Sequence, residues 1–167
     1  MALLENTELG KVGMFYKTYE PKTKNRFIFE IEGVPAFLVK KADRPKPSFE
    51  EVVLDHINVQ RKLKGRVSWA DINVELYDPI NPSGAQSVMN WFRLHHEAVT
   101  GRDGYQDFYK KDVSFTSLGP VGDKVEEWII KGAFIKSVDF GDGDWSNANT
   151  AQTISMTLAM DYCILNY

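Results

Sequence analysis

The sequence predicts a mainly β domain, an antiparallel sandwich or barrel-like fold carrying one amphipathic helix. Three observations predict it. Several runs alternate apolar and polar residues with period two, turn residues separate these runs at short intervals, and a single segment carries helical spacing. The 167 residues have the length of one domain, and 43% apolar with 26% charged residues is a globular balance. Ten Phe, seven Tyr and four Trp are enough to fill a core.

Residues 1–24 are polar, mixed and weakly periodic, and read as an N-terminal arm; residues 25–167 read as the β domain. Phe27, Phe29 and Ile31 alternate with Arg26, Ile28 and Glu30 as a first strand. Gly33-Val34-Pro35 reads as a turn and Ala36 to Lys41 as the returning strand of a hairpin. Asp43 to Ser48, with Pro45 and Pro47, reads as a loop. Val52 to Leu63 is a long β-leaning run, and the basic stretch Arg61-Lys62-Leu63-Lys64-Gly65-Arg66 reads as an exposed hairpin tip.

The alternation is clearest in Trp69 to Tyr77. Ala70, Ile72, Val74 and Leu76 form an apolar face, and Trp69, Asp71, Asn73, Glu75 and Tyr77 form the other. Asn81 then reads as an N-cap, with Pro82 in the first helical position. Ala85, Val88, Met89, Phe92, His96 and Val99 keep helical spacing, Trp91 and Leu94 widen the stripe, and Gly101 stops it, which predicts a helix over 82–100. Gly101 to Tyr109 reads as a loop, Lys111 to Leu118 as a strand and Gly119-Pro120 as a turn. Val125 to Phe140 reads as a long strand with Trp128, Ile130, Phe134 and Val138 on one face. After a polar turn at 141–149, Ala151 to Ile164 reads as a closing strand. Ile154, Met156, Leu158, Met160, Tyr162 and Ile164 share one of its faces, and Thr153, Ser155, Thr157, Ala159 and Asp161 the other.

Composition excludes several function classes. Twenty cations against 23 carboxylates leave a net charge of −3, which disfavours a general nucleic-acid clamp. The charge is uneven: residues 1–66 carry 13 basic and 9 acidic side chains, net +4, and residues 67–167 carry 7 and 14, net −7. The split reads either as chance within one domain or as a self-complementary subunit whose basic part meets the acidic part of a neighbour, which favours head-to-tail assembly. Cys163 is the single cysteine, so a disulfide framework and a CxxC metal site are excluded. No run of 18 apolar residues is present, so no membrane anchor is expected. Met1 to Phe15 lacks a basic start and a long apolar stretch, so no signal peptide is expected.

No catalytic or metal constellation stands out. Asp139-Phe140-Gly141 matches the kinase metal-binding triplet without the glycine-rich loop, strand lysine or catalytic loop that chemistry needs. Asp139, Asp142 and Asp144 lack the glutamate twelve positions on that a Ca²⁺ loop uses; Thr150 stands there. His95 and His96 are adjacent on a helix and point about 100° apart, so they cannot share one ion. Cys163 has no base beside it in sequence. The reading is a non-enzymatic chain with no cofactor and no metal. More informative are the strand faces bearing Asp71, Asn73 and Glu75, and Thr153, Ser155, Thr157 and Asp161. They hold no large aliphatic side chain and suit either a plain solvent face or the wet inner wall of a large barrel.

The order of these segments resembles that of tail tube proteins of contractile-tailed bacteriophages. The resemblance rests on Asn25–Ile31 (NRFIFEI), Arg61–Pro79 (RKLKGRVSWADINVELYDP), the helix with Trp91 and Phe92, Trp128–Phe134 (WIIKGAF), and Thr153–Tyr162 (TISMTLAMDY). It spans roughly residues 25–162; the arm, the 43–48 and 101–109 loops and the tail after Tyr162 depart from it. It implies a structural virion protein whose hexameric rings, each subunit giving four strands, stack into a hollow inner tube within a contractile sheath. That tube conducts DNA from capsid to host without specific binding. The implied partners are other copies, the sheath protein, the baseplate or tube initiator, the tape measure protein and the tail terminator. The implied location is the virion tail, assembled in host cytoplasm. At ~4.8 Å per strand and a tilt near ~40°, such a ring has a backbone diameter of roughly 50 Å. Asp71, Asn73, Glu75, Thr153, Ser155, Thr157 and Asp161 are then the candidate lumen residues, and Arg61, Lys62, Lys64 and Arg66 a candidate inter-subunit hairpin tip. Alternatives are a tube-initiating paralogue, the tube of a bacterial contractile injection system, or a monomeric ligand-binding barrel.

Overall fold

The structure, a computed structural model, describes residues 20–167. Most of the arm expected over 1–24 therefore lies outside the described residues. The strands are β1 (Phe27–Ile31), β2 (Val39–Ala42), β3 (Pro47–His56), β4 (Val59–Trp69), β5 (Ile72–Tyr77), β6 (His96–Glu97), β7 (Arg102–Asp103), β8 (Lys111–Leu118), β9 (Lys124–Asp139), β10 (Thr153–Ala159) and β11 (Tyr162–Asn166). The helices are α1 (Gly84–His95) and the single turn α2 (Gln106–Tyr109).

β9 organises the domain. Its first half pairs with β8 on one side and β11 on the other, and β8 pairs with β1. Its second half pairs with β10, which pairs with β5, which pairs with β2. All pairings are antiparallel, so two sheets share one strand. Their inner faces and α1 enclose one core that includes Phe29, Ile31, Val113, Phe115, Ile130, Val74, Leu76, Met156 and Trp91. The period-two reading holds where it was clearest: Ile72, Val74, Leu76, Ile154, Met156 and Leu158 are all buried.

The strand that crosses between sheets could not keep one face throughout. Gly132 sits at φ +65°, and the β8–β9 register slips between Lys111 and Val113, a bulge. The inward residues change there from Glu126 and Ile130 to Ala133 and Ile135. Phe134, expected on the face of Ile130, therefore turns away. A side chain at Gly132 would collide with the Asp161 carboxylate, because the corner after β10 passes over it. That corner also splits the closing strand in two. β10 belongs to one sheet and β11 to the other, so Tyr162 and Ile164 are exposed and do not continue the face of Ile154.

Other expectations are corrected by pairing. Ala36–Leu38 is a 3-10 turn and β2 pairs with β5, so β1 and β2 form no hairpin beyond one isolated bridge, Ile31–Val34. The long hairpin reverses at Ile57-Asn58, with Ile57 at φ 47°, and not at Lys64-Gly65. Gly65 marks a bulge opposite Phe49–Glu51; a Cβ there would come within 2.8 Å of the Glu50 carbonyl oxygen. Arg61, Lys62, Lys64 and Arg66 thus lie along β4 and not at its tip.

The helix is shorter than its hydrophobic spacing. Ser83, not Asn81, is the N-cap: its Oγ accepts the Gln86 N–H at 3.3 Å, and Asp78 Oδ1 accepts the Ala85 N–H at 3.1 Å. The buried stripe is Gly84, Val88 and Trp91, with His95 half-buried below it. After His95 the chain turns into the β6–β7 hairpin, with Gly101 at φ +70° in its loop. His96 and Val99, expected on the buried face, are exposed.

Candidate functional site

The alternation in β5 and β10 puts their polar residues on one outward face. Register sets Ser155 against Glu75 and Thr157 against Asn73, with Thr157 Oγ1 donating to Asn73 Oδ1 at 3.1 Å. On the other side Ser155 opposes Asp139 and Thr157 opposes Ser137. Asn73, Glu75, Ser155, Thr157, Ser137 and Asp139, with Lys41 of β2, line one shallow groove of about 270 Å³. Ser137 and Asp139 were missed by the sequence reading, which named only the apolar face of β9; after Ala133 and Ile135 turn inward at Gly132, a second register shift, opposite Thr157–Leu158, sets Val138 inward and these two outward. Their alternation with the apolar Val138 is the signal that could have found them.

The three carboxylates expected on this face each carry a cation. Lys136 Nζ donates to Asp71 at 2.6 Å, Lys40 to Glu75 at 2.6 Å, and Lys110 to both Asp161 oxygens at 2.9 and 2.8 Å. Hydrogen bonding to the Glu75 carboxylate holds the Lys40 ammonium above its usual pKa. Asp71 precedes β5, and Asp161 sits at the corner beyond β10 against Gly132. The structure therefore joins Asn73, Glu75, Thr153, Ser155 and Thr157 on two paired strands and sets Asp71 and Asp161 at their margins. The face is polar and charge-mixed more than acidic.

The sheet that bears this face has four strands, in the order β9, β10, β5, β2. Neither outer edge pairs with a further strand among the described residues: residues 134–139 of β9 pair only with β10, where the Ile135 N–H is taken by His95, and β2 pairs only with β5. Open edges present rows of backbone donors and acceptors that can pair with another chain.

From the same sheet the β3–β4 hairpin projects as a continuation of β2 and β5. Asp43 N–H donates to Asn73 O and Ala70 N–H to Lys46 O, both at 3.0 Å, across the joint. Every residue of β3 is exposed, as is every residue of β4 except Gly65 and Trp69. Phe49, Val52, Val53, Leu54, Ile57, Val59, Leu63 and Val67 all show apolar surface to solvent. A two-stranded hairpin is marginal in water by itself, and so much exposed apolar surface marks an interaction site.

The remaining candidates do not assemble a reactive centre. No group of three or more His, Cys, Asp or Glu placed to hold a metal occurs among the described residues. The Asp139 carboxylate accepts the Gly141 N–H, and the Asp144 carboxylate accepts the Ser146 N–H and hydroxyl, which holds its pKa below the usual value. These are local turn contacts. Burial pushes the Cys163 thiol up to about 11, the opposite of nucleophile activation. No helix among the described residues is long and apolar enough to cross a membrane.

No protein-family profile matches the chain, and no curated protein matches it in sequence. Solved structures match it in fold. A sheath/tube terminator of an extracellular contractile injection system (PVC), in the extended state, superposes with a TM-score of 0.71 at 16% identity, covering 90% of this chain and 99% of that one. The sheath–tube complex of such a system superposes at 0.69 and 17%, covering 96% and 98%. The tail tube of SPP1 superposes at 0.54 and 16%, covering 87% and 79%. The chain has the mainly β fold of tail tube and tube-terminator proteins.

Proposed function

We propose that the chain is a non-enzymatic, self-assembling tube subunit of a contractile tail. Six copies form a ring, each giving β9, β10, β5 and β2 to a shared barrel, and rings stack into a hollow tube inside a sheath. The observation that carries the reading is the four-stranded sheet itself. One of its faces is buried in the core, the other is polar and free of large aliphatic side chains, and neither edge pairs with a further strand among the described residues. Such a sheet is an arc of a larger closed barrel. Glu75, Asn73, Ser155 and Thr157, flanked by Asp71, Thr153 and Asp161, would line the lumen. A wall whose carboxylates are matched by lysines offers DNA few net phosphate contacts, which suits a conduit that must not hold its cargo. The β3–β4 hairpin, with Arg61, Lys62, Lys64 and Arg66 along β4, would bury its apolar residues against a neighbouring subunit. Sheath, baseplate initiator, tape measure and terminator are the further partners, and the virion tail, assembled in host cytoplasm, is the location.

A second reading, the tube or tube terminator of an injection system that carries protein cargo, is favoured by the higher fold similarity to such systems, 0.71 and 0.69 against 0.54 for the SPP1 tube. Negative-stain electron microscopy of the purified protein over a concentration series tests what the two readings share. Six-fold rings or hollow tubes are expected. Single subunits at every concentration, alone and after co-expression with a baseplate initiator, would refute both. Reversing charge with D71K and E75K separates DNA from protein cargo: slowed DNA ejection is expected of a DNA conduit.

A further inference from the structure

A cleft of about 440 Å³ opens between the start of β1 and the end of β2, where the two sheets part. It is lined by six cations, Lys22, Lys24, Arg26, Lys40, Lys41 and Arg44, against a single lining carboxylate, Asp43. Its floor is aromatic: Phe27 and Phe115 stack with ring centroids 5.4 Å apart. Lys22 and Arg44 pair with the buried Glu126 behind it and Lys40 with Glu75, which leaves Lys24, Arg26 and Lys41 with no ion pair among the described residues.

The opposite end of β9 carries the complementary chemistry. Residues 139–152 hold three carboxylates, Asp139, Asp142 and Asp144, and no cation. Directly after the last of them Trp145 is fully exposed. An indole beside carboxylates matches a cleft with an aromatic floor and a cationic rim, since Trp and Arg are the side chains that anchor interfaces. Within one chain the two features do not touch: none of residues 139–152 lines the cleft.

We propose that the Asp142–Trp145 loop of one copy docks in the basic cleft of the next, a head-to-tail contact that propagates assembly. This rests on the reading of the chain as a self-assembling tube subunit. The contact is heterologous, one patch on a different patch, which is the kind that closes rings or extends stacks. It also gives the charge asymmetry of the chain a role, since steering by opposite fields speeds association and suppresses wrong docking.

Zero-length carbodiimide coupling of the wild-type protein, in a mixture of isotopically light and heavy copies, tests it without any variant. Lys24 joined to Asp142 or Asp144 in mixed-isotope pairs is the expected product. The variants K24E/R26E and D142K/D144K should each raise the concentration needed for assembly roughly tenfold or more, and their one-to-one mixture should recover it. Circular dichroism reports whether each variant folds, and the loop pair is exposed. Assembled wild-type tubes without these cross-links, or tubes unaffected by both charge reversals, would overturn the contact and leave the tube reading standing. A cleft variant that assembles normally but loses affinity for duplex DNA would overturn it in favour of a nucleic-acid contact. Wild-type protein that stays monomeric at low salt would overturn it as well.

Discussion

His95 joins α1 to β9, and its protonation should loosen that joint. Ile135 N–H donates to His95 Nε2 at 3.1 Å, and His95 Nδ1–H donates to the Trp91 carbonyl at 3.0 Å. A ring that accepts at one nitrogen and donates at the other is neutral. The imidazole also stacks on Tyr109 at 4.7 Å and borders Phe134, Phe92 and Trp91. Burial is the main cause that holds its pKa below 6.5, and the Lys111 charge adds to it against the Trp91 hydrogen bond. With the folded pKa depressed, stability is complete above pH 6.5. It falls as the pH drops from there toward the folded pKa, because the unfolded chain binds the proton first. The slope cannot exceed about 1.4 kcal/mol per pH unit. His95→Phe keeps the stacking and removes the acceptor from the buried Ile135 N–H, at a cost of about 1–3 kcal/mol near pH 8. Urea unfolding of wild type and H95F, followed by tryptophan fluorescence between about pH 5 and 8, gives the His95 contribution as the difference between the two curves. The difference should shrink with acid. A constant difference across the range, or equal stability at pH 8, would refute the neutral joint.

Gly132→Ala should destabilise by about 1–3 kcal/mol, since it adds a side chain at φ +65° against the Asp161 carboxylate; pairing it with Asp161→Gly should recover part of the loss in thermal melts. Glu126→Gln keeps an acceptor for Ser117 Oγ and Trp128 Nε1, gives up the charge facing the half-exposed Lys22 and Arg44, and should cost about 1 kcal/mol. Glu126→Leu strands both donors and should cost about 3 kcal/mol, a contrast that calorimetry resolves. Replacing residues 48–68 with a short turn should leave the melting temperature of the subunit nearly unchanged, because β3 and β4 pair only with each other, while rings or tubes disappear from micrographs. A cooperative loss of the domain fold in that variant would show that the hairpin is part of the core.

What sequence alone determined here is whatever depends on neighbours along the chain. The faces of β5 and β10, the span of β8, the mainly β class and the presence of one helix were legible because alternation and helical spacing are local physics. So was the polar face of Asn73, Glu75, Ser155 and Thr157, and the absence of large aliphatic residues from it. Tertiary structure decided the rest. Period two says that a strand has two faces, not which strand lies beside it. β2 therefore leaves β1 and pairs with β5, from across the domain. Gly65 resembled a turn and is a bulge, because its place opposite Glu50 depends on a partner strand some fifteen residues away. Gly132 bends β9 from one sheet to the other and turns Phe134 outward, and a second register shift, against β10, brings Ser137 and Asp139 to the candidate face. Asp71, Glu75 and Asp161, candidates for the lumen, found Lys136, Lys40 and Lys110, partners set by register and by the corner at Asp161. Those pairings place charges side by side in space that are far apart in sequence, and no local pattern encodes them.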